Sequence, residues 1–348
     1  MKEIMILSLS RLGDHIQSTP LLRNLRSRYP GARITMVAER RFADILPLMG
    51  GFDRTILYDN RETAWRVGME DDPLAAYTCL ESFVRQLEDT RYDLVVNITM
   101  SRLSDFLVSL VPTAGASGTI AGARGARRVV SDWAAYLLST LNGDNRRFNR
   151  INLVDVFTGI GGGKPDGRPV ELFETARGRA FADQFLAAHG LDGRRLVGLQ
   201  LGASKAIRCW DTDRFAALCD RLRERWGCKV VLFGGPGEKH LAEQVIAMAA
   251  HAPVDAVGKT SIEELFSLVK RLTLLVTNDT GTMHFAAAGG VPSVILCLGP
   301  AFFRGTGPYS SGTIALHPDL PWSPSPYRPH CAAPLGRPRV TSAAGEGA

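Results

Sequence analysis

The sequence predicts an α/β protein built from two doubly wound parallel sheets. At 348 residues, the chain exceeds the usual size of a single hydrophobic core. Runs of continuous apolar character alternate with amphipathic runs of helical length, which is typical of parallel strands covered by helices on both faces. This alternation occurs in two series, separated by a stretch rich in glycine and proline. We therefore expect two domains.

The two series can be assigned element by element. The first has expected strands at 4–9, 33–38, 54–58, 92–99 and 117–121, with helices at 20–28 and 74–87. The second has expected strands at 196–201, 229–233, 254–257, 272–277, 291–298 and 313–317, with helices at 212–225, 238–249, 262–270 and 281–288. Ser261 and Glu264 form a capping-box pattern, which predicts where the helix at 262–270 begins.

The stretch GIGGGKPDGRP at 159–169 is too rich in glycine and proline for a regular element and is interpreted as a hinge. The expected domains are accordingly residues 1–165 and 166–317. Seven prolines between 318 and 338 predict an extended or partly disordered tail at 318–348.

The composition argues against several classes of protein. No apolar stretch approaches the ~18 residues of a transmembrane helix, and Arg11 and Asp14 interrupt the apolar N-terminus before any signal cleavage site. We therefore expect a cytoplasmic protein. Six cysteines without a CxxC pair favour buried free thiols over a disulfide or a structural zinc, with Cys331 as the exposed one.

Positive charge is concentrated between residues 118 and 150, which hold six arginines, Arg127 and Arg128 among them, and two aspartates. Clustered arginine suits phosphate and carboxylate groups, so an anionic partner is one interpretation of this segment. A solvated face is the other. Nucleic acid is not favoured, because no basic run is interleaved with exposed aromatic residues and no known binding motif is present.

The first strand ends in RLGD, which places the carboxylate of Asp14 in the turn before a helix. In an open α/β sheet, that turn lies at the carboxyl end of the strand, where ligands bind. The residues themselves allow two interpretations, a helix cap or a group that takes part in chemistry.

Three turns in the second half are polar and rich in small residues. LQLGASKAIRCW (199–210) places Lys205 and Arg208 after a strand, and LFGGPGEKH (232–240) places Glu238 at a helix start. VTNDTGTMHFAAAGGVP (276–292) runs from a strand through Asp279 into a helix whose first amides suit a diphosphate. Surface turns and simple helix caps are the alternative interpretations.

Several familiar motifs are missing. A Walker lysine and a GxGxxG after a strand are both lacking, which argues against a P-loop kinase and a dinucleotide oxidoreductase. HExxH, an EF-hand loop and GxSxG are also absent. We expect neither a metal nor a cofactor.

Four stretches together resemble glycosyltransferase family 9, the lipopolysaccharide heptosyltransferases. They are LSRLGDHIQSTPLLRNLRSRYPGARI, INLVDVFTGIGG, LGASKAIRCWDTDRFAAL and TNDTGTMHFAAAGGVPSVILCLG, and the similarity covers about residues 3–300. The resemblance implies a GT-B fold of two Rossmann-like domains, an N-terminal one for the acceptor and a C-terminal one for the nucleotide-sugar. It also implies metal-independent, inverting transfer from ADP-heptose to an anionic inner-core lipopolysaccharide acceptor, with peripheral contact at the inner membrane surface.

The resemblance further implies roles for individual residues. Asp14 matches the general base that deprotonates the acceptor hydroxyl. The remaining positions fall into four groups: Ser204, Lys205, Arg208, Thr280 and Gly281 at the donor diphosphate, Glu238 and Asp279 at sugar or ribose hydroxyls, Lys259 and Thr260 near the adenine, and Arg127 and Arg128 at the acceptor.

The chain departs from the family pattern at three places. Arg208 stands where many relatives have lysine, and a guanidinium does not reproduce an ammonium. His15 follows Asp14 where an aliphatic residue is usual, either to tune the base or to face solvent. The proline-rich tail does not resemble the helix that commonly ends GT-B proteins.

Two other functions are compatible with the same motifs. One is a non-catalytic protein that binds nucleotide-sugars, and the other is an epimerase-like GT-B enzyme that needs no acceptor. Retention of polar residues in both halves argues against the first alternative, and the transferase-like opening motif argues against the second.

Overall fold

The computed structural model describes residues 1–59, 73–141, 145, 148–298, 303–318 and 338–342. The chain divides into two compact units. Unit 1 comprises Met1–Asn142 and Leu153–Arg168, and unit 2 comprises Gly143–Asn152 and Pro169–Ala348.

Unit 1 is built on a parallel sheet of five strands in the order β3-β2-β1-β4-β5. Its strands are β1 (Glu3–Ser8), β2 (Arg33–Glu39), β3 (Arg54–Tyr58), β4 (Leu94–Asn97) and β5 (Ala116–Ser117). A separate antiparallel hairpin pairs β6 (Thr119–Ala121) with β7 (Arg127–Val129). Because the strand order reverses between β1 and β4, the ends of these two strands form the switch point at which ligands bind in open sheets.

Six helices of unit 1 lie among the described residues. They are α1 (Leu12–Gln17), α2 (Thr19–Arg28), α3 (Pro73–Glu88), α4 (Arg102–Leu110), α5 (Asp132–Leu141) and α6 (Leu153–Ile160), with a 3-10 segment at Arg40–Leu48. The expected helices at 20–28 and 74–87 are confirmed, whereas α1, α4 and α5 were not predicted. Apolar side chains of β1, β2 and β4 pack against α3 and α4 to form the core of the unit.

The break between α1 and α2 has a local cause. Pro20 has no N–H group, so the Ile16 carbonyl cannot receive the usual helical hydrogen bond. The Thr19 hydroxyl donates to that carbonyl instead, at 2.8 Å. One helix is thus divided into a short α1, which carries Asp14, and a longer α2.

Gly118 explains why the expected strand at 117–121 is two strands. Its φ of +105° is a conformation that side chains rarely adopt, and it turns the chain from β5 into β6. A Cβ at this position would overlap the main-chain carbonyl oxygen of Asn97. The hairpin therefore starts close against the end of β4.

Unit 2 is built on a seven-stranded sheet in the order β10-β9-β8-β11-β12-β13-β14. Its strands are β8 (Leu196–Gln200), β9 (Lys229–Phe233), β10 (Val254–Asp255), β11 (Leu274–Asn278), β12 (Ser293–Leu296), β13 (Thr313–Pro318) and β14 (Pro338–Ser342). The first six are parallel, as predicted, and β14 runs antiparallel beside β13. The switch point of this sheet lies between β8 and β11.

The described helices of unit 2 cover the sheet. They are α7 (Ala176–Ala188), α8 (Thr212–Trp226), α9 (Lys239–Met248), α10 (Ile262–Lys270), α11 (Thr282–Gly289) and α12 (Phe303–Thr306). The capping box at the start of α10 is confirmed, since the Ser261 amide donates to Glu264 Oε2 at 2.7 Å. A buried cluster of apolar residues from β8, β9, α8 and α9 forms the core.

Three other expectations can be compared with the described residues. Cys219, Cys228 and Cys297 are buried free thiols, as expected, while Cys331 lies outside the described part. Within the tail expected at 318–348, residues 338–342 form β14, and 319–337 and 343–348 are not described. None of the described helices combines the length and apolarity needed to cross a membrane.

We predict that Gly118→Ala lowers the free energy of unfolding by roughly 2–4 kcal/mol, because the new Cβ meets a backbone oxygen in a strained conformation. Urea unfolding measures the loss. Gly125→Ala is the matched control, since Gly125 also has a positive φ (+72°) but has no atom within 4 Å of the added Cβ. Equal losses in the two variants would show that the close approach to Asn97 contributes nothing.

Candidate active site

The switch point of unit 2 brings together three of the turns singled out in the sequence. Asn278, the last residue of β11, is buried and joins two of them. Its Nδ2 donates to the Leu201 carbonyl at 2.7 Å, and its Oδ1 accepts from the Trp210 amide at 3.1 Å. Asn278 therefore fixes both ends of the 201–210 loop against the end of β11.

Arg208 lies within that loop and forms an ion pair with Asp279. Its Nη1 is 3.2 Å from Asp279 Oδ2, and the two side chains retain only 17% and 14% of their exposure. The Nε–H of Arg208 is buried and has no hydrogen-bond partner in the described part of the chain. A cation is therefore held at the strand end with one donor still available.

Glu238 lies in the turn that follows β9, directly before α9. Its Oε2 accepts from the Gly235 amide at 2.7 Å and from Gln200 Nε2 at 3.4 Å. The Gln200 Oε1 in turn accepts from the Thr282 hydroxyl at 3.0 Å. A Cβ at Gly202 would displace the Glu238 carboxylate, so glycine leaves room for that carboxylate in its present position. Polar groups from β8, from the turn after β9 and from α11 thus form one connected network.

The N-terminus of α11 completes the site. Thr280 and Gly281 lead into this helix, and their carbonyls accept from the Met283 and His284 amides at 3.2 and 3.0 Å. The positive end of the helix dipole at this terminus attracts anions. One turn further, His284 is buried, and its Nδ1 has no partner among the described atoms. Burial lowers the pKa of His284 to about 4, so the ring is neutral near pH 7.

The remaining donor-side residues lie at the edge of this group. Ser204 and Lys205 are exposed on the same loop as Arg208. Lys259 is exposed, with its Nζ 2.7 Å from Asp255 Oδ2, and Thr260 is half-buried. The Gly258 amide donates to the Gly234 carbonyl at 2.9 Å, which holds the Lys259–Thr260 turn next to the turn that carries Glu238.

Asp14 lies at the switch point of unit 1, in the third position of α1. Its Oδ2 accepts from the Arg11 amide at 3.0 Å and so caps the helix with one of its two oxygens. Burial raises the pKa of Asp14, against the lowering effects of that hydrogen bond and of the Arg11 charge. The carboxylate is therefore a stronger base than an ordinary aspartate.

His15 does not face solvent, so that interpretation of the sequence was wrong. The ring is completely buried, with Nδ1 3.4 Å from the Ser8 hydroxyl and Nε2 without a partner in the described structure. Burial lowers its pKa to about 4. His15 is therefore a neutral group that lies against Ser8 at the end of β1.

The two arginines expected at the acceptor differ in their surroundings. Arg127 Nε is 2.6 Å from Asp105 Oδ2, and its Nη2 donates to the Met100 carbonyl at 2.9 Å. Asp105 is buried and also accepts from the Thr119 hydroxyl. Arg128, the next residue along β7, is exposed. Arg127 thus braces the hairpin, and Arg128 projects from it.

Among the residues that connect each site, Gln200 and Asn97 were not identified from the sequence, and Asn278 was noted only as part of a polar turn. Gln200 and Asn278 are the last residues of β8 and β11, and Asn97 is the last residue of β4. A polar residue at the end of a buried apolar strand was the available signal, since buried polar groups need partners.

Comparison with known proteins identifies the family. The model of glycosyltransferase family 9 (heptosyltransferase) matches residues 80–325, so the chain belongs to this family. Lipopolysaccharide heptosyltransferase 3 of Escherichia coli K12 is 25% identical over 297 residues, which cover 82% of this chain and 79% of the relative.

Solved structures show the same fold. A family 9 glycosyl transferase from Veillonella parvula DSM 2008 has a TM-score of 0.73 and 24% identity, covering 90% of this chain and 85% of the other. E. coli heptosyltransferase WaaC with ADP has a TM-score of 0.66 and 20% identity, covering 90% and 92%. The predicted GT-B class is therefore confirmed, and the protein is a glycosyltransferase.

We predict that the protein loses stability as the pH falls from 6.5 to 4. The unfolded chain protonates His15 and His284 in this range, whereas the native state keeps both neutral, so the free energy of unfolding decreases by roughly 2–3 kcal/mol per histidine at pH 4. Urea unfolding of His15→Leu at pH 7 and pH 4 measures the part of this loss of stability that is due to His15. His240→Leu is the control, because His240 is exposed. A decrease as large in His15→Leu as in the wild type would contradict this assignment.

Proposed function

We propose that this protein is an inverting heptosyltransferase that transfers heptose from ADP-heptose to an inner-core lipopolysaccharide acceptor. Unit 1 would bind the acceptor, and unit 2 would bind the nucleotide-sugar. One observation carries the proposal. At its switch point, each of the two sheets has groups that suit one of the two substrates. Unit 1 presents a base of raised pKa, and unit 2 presents a half-buried cation beside a helix N-terminus.

The nature of the donor is supported by two lines of reasoning. Arginine and helix amides suit a diphosphate, and carboxylates suit the hydroxyls of a sugar or ribose. The relatives are named as heptosyltransferases, and the solved WaaC structure contains ADP. We assign the diphosphate to Arg208, Thr280 and Gly281, with Ser204 and Lys205 at its edge. Glu238 and Asp279 would bind hydroxyls, and Lys259 and Thr260 would lie near the adenine.

The chemical step follows from these roles. The acceptor hydroxyl attacks the anomeric carbon of the donor, Asp14 takes the proton of that hydroxyl, and the bond to the diphosphate breaks with inversion. Negative charge grows on the leaving ADP as this happens. The Nε–H of Arg208 and the amides of Thr280 and Gly281 would stabilise that charge, so we propose that transfer needs no metal ion.

Asp14 is suited to this step because its pKa is raised. A carboxylate of ordinary pKa is a weak base, whereas one with a higher pKa accepts the proton more readily in the transition state. The neighbouring His15 is neutral near pH 7, so it adds no charge that would lower the pKa of Asp14 again. Peripheral contact of unit 1 with a membrane would bring this base to a glycolipid acceptor.

We predict that Asp14→Asn lowers kcat by roughly 10²-fold or more, because the amide cannot accept the proton. Binding of ADP, measured by calorimetry, is expected to stay unchanged, since the donor groups belong to unit 2. In the wild type, the raised pKa of Asp14 places the acidic limb of the kcat/KM profile above the usual aspartate range.

Transfer is measured with ADP-heptose and a lipopolysaccharide-core acceptor in a buffer that contains a chelator. Asp44→Asn is the control, because Asp44 is an exposed acid of the same unit. A turnover of Asp14→Asn equal to that of the control would remove Asp14 from the mechanism. Loss of wild-type activity in the chelator would overturn the metal-independent step.

A further inference from the structure

Gln200 is a buried amide at the centre of the unit 2 switch point. It is the last residue of β8, and β8 lies between β9 and β11 in the sheet. In the register of the sheet, Gln200 is opposite Phe233 on one side and Thr277 on the other. The turns that follow β9 and β11 therefore begin on either side of this residue. Only 5% of Gln200 is exposed, so its polar side chain needs partners within the protein.

The amide of Gln200 joins these two turns. Its Nε2 is 3.4 Å from Oε2 of Glu238, in the turn after β9. Its Oε1 accepts from the hydroxyl of Thr282 at 3.0 Å, and Thr282 is the first residue of α11. One planar group thus connects the carboxylate of Glu238 to the helix start that follows β11.

The partners of this amide select its orientation. An amide has its donors on the nitrogen and its acceptors on the oxygen. Turned end for end, Gln200 would place its oxygen against the carboxylate of Glu238, and two acceptors would face each other. The Thr282 hydroxyl favours the same orientation, because it donates to Oε1. The nitrogen of Gln200 is therefore held toward Glu238.

The two oxygens of Glu238 have different surroundings. Oε2 accepts from the Gly235 amide at 2.7 Å and faces the nitrogen of Gln200. Among the described residues, no group donates to Oε1. Oε1 is the atom nearest to a Cβ added at Gly202, so it lies against the loop that carries Arg208. The oxygen that is left for a ligand is therefore on the side of the proposed diphosphate site.

We propose that Gln200 is a positioning residue of the donor site, which holds Glu238 so that Oε1 accepts from a hydroxyl of the donor. This role rests on the proposed function, in which Glu238 binds a hydroxyl of either the ribose or the transferred sugar. A carboxylate whose other oxygen is already fixed loses less freedom when a ligand binds. The 3.4 Å contact is long for a hydrogen bond, and such contacts often tighten when the substrate binds.

Thr282 supports Gln200 in this role. Without the Thr282 hydroxyl, the amide would lose a donor that selects its orientation. Thr282→Val keeps the shape of the side chain and removes only that donor, so it is expected to act in the same direction as a change at Gln200. Thr282→Ser retains the hydroxyl and is expected to keep Glu238 in place.

Calorimetric binding of three ligands tests this role without any measurement of transfer. They are ADP, 2′,3′-dideoxy-ADP, which lacks the ribose hydroxyls, and ADP-heptose, which adds the hydroxyls of the sugar. A hydrogen bond from a hydroxyl to a carboxylate changes affinity by about tenfold or more. The wild type is therefore expected to prefer ADP to the dideoxy form by this factor if the partner is the ribose. It is expected to prefer ADP-heptose to ADP by the same factor if the partner is the sugar.

Gln200→Leu keeps the size of the side chain but removes the donor to Glu238. In this variant, the preference that the wild type shows is expected to fall to about threefold or less, because Oε1 is no longer held in place. Affinity for the ligand that lacks the hydroxyl is expected to stay near the wild-type value. Thr282→Val is expected to lower the same preference, and Thr282→Ser to restore it. A general loosening of the site would instead weaken all three ligands alike.

Gln244 and Thr212 provide matched controls. The Thr212 hydroxyl donates to Oε1 of Gln244 at 3.1 Å, and Thr212 is the first residue of α8. This exposed pair between α8 and α9 repeats the contact of Thr282 with Gln200. Gln244→Leu and Thr212→Val are expected to leave both preferences unchanged. Thermal unfolding without ligand verifies that each variant is folded, and Thr282→Val provides the same comparison if Gln200→Leu does not fold.

The outcomes separate this role from the proposed function. Full retention of the preference in Gln200→Leu and Thr282→Val would overturn the role of Gln200, as would equal weakening of all three ligands. A wild type that binds ADP but shows neither preference would also overturn it, because Glu238 would then bind no donor hydroxyl, while the diphosphate site would stand. A wild type that binds none of the three ligands would contradict the proposed function together with this role.

Discussion

The ion pair between Arg208 and Asp279 is the interaction on which the proposed donor site depends. A cation with so little exposure needs a counter-charge, and Asp279 supplies it at the end of β11. A guanidinium has five donors in a planar fork, so it can keep one on Asp279 and turn its Nε edge to a phosphate. A lysine has a single nitrogen for both tasks. In the proposed donor site, arginine at this position would therefore couple the carboxylate to the diphosphate through one rigid group.

Burial of a charged group also determines the chemistry of unit 1, where it raises the pKa of a carboxylate. Asp14 is partly withdrawn from water with only a backbone amide and the Arg11 charge to compensate, so its pKa rises. The break at Pro20 keeps α1 short, and Asp14 lies in the first turn of that helix. A helix cap and a catalytic base are therefore not alternatives, because one oxygen serves as the cap and leaves the other for chemistry.

The sequence was sufficient to predict the parallel strands and the charged residues in the turns that follow them. Continuous apolar runs identified β1, β9 and the other parallel strands because burial on both faces leaves a clear pattern. The division at Gly118 and the separate α1 were missed, since each depends on a backbone contact or on a single side-chain bond with Ile16. The orientation of Arg127 toward Asp105 could not be predicted either, because the two residues meet only after the hairpin folds against α4.

Binding of ADP to Arg208→Lys, measured by isothermal titration calorimetry, tests the central claim that a forked guanidinium holds the diphosphate beside Asp279. Arg214→Lys is the control, since Arg214 pairs with Asp211 on the exposed side of α8. The account predicts that Arg208→Lys binds ADP about tenfold more weakly or worse than the wild type, through loss of a charge-assisted hydrogen bond, while the control binds normally. Equal affinity of Arg208→Lys and the wild type would contradict it, because a simple point charge would then suffice.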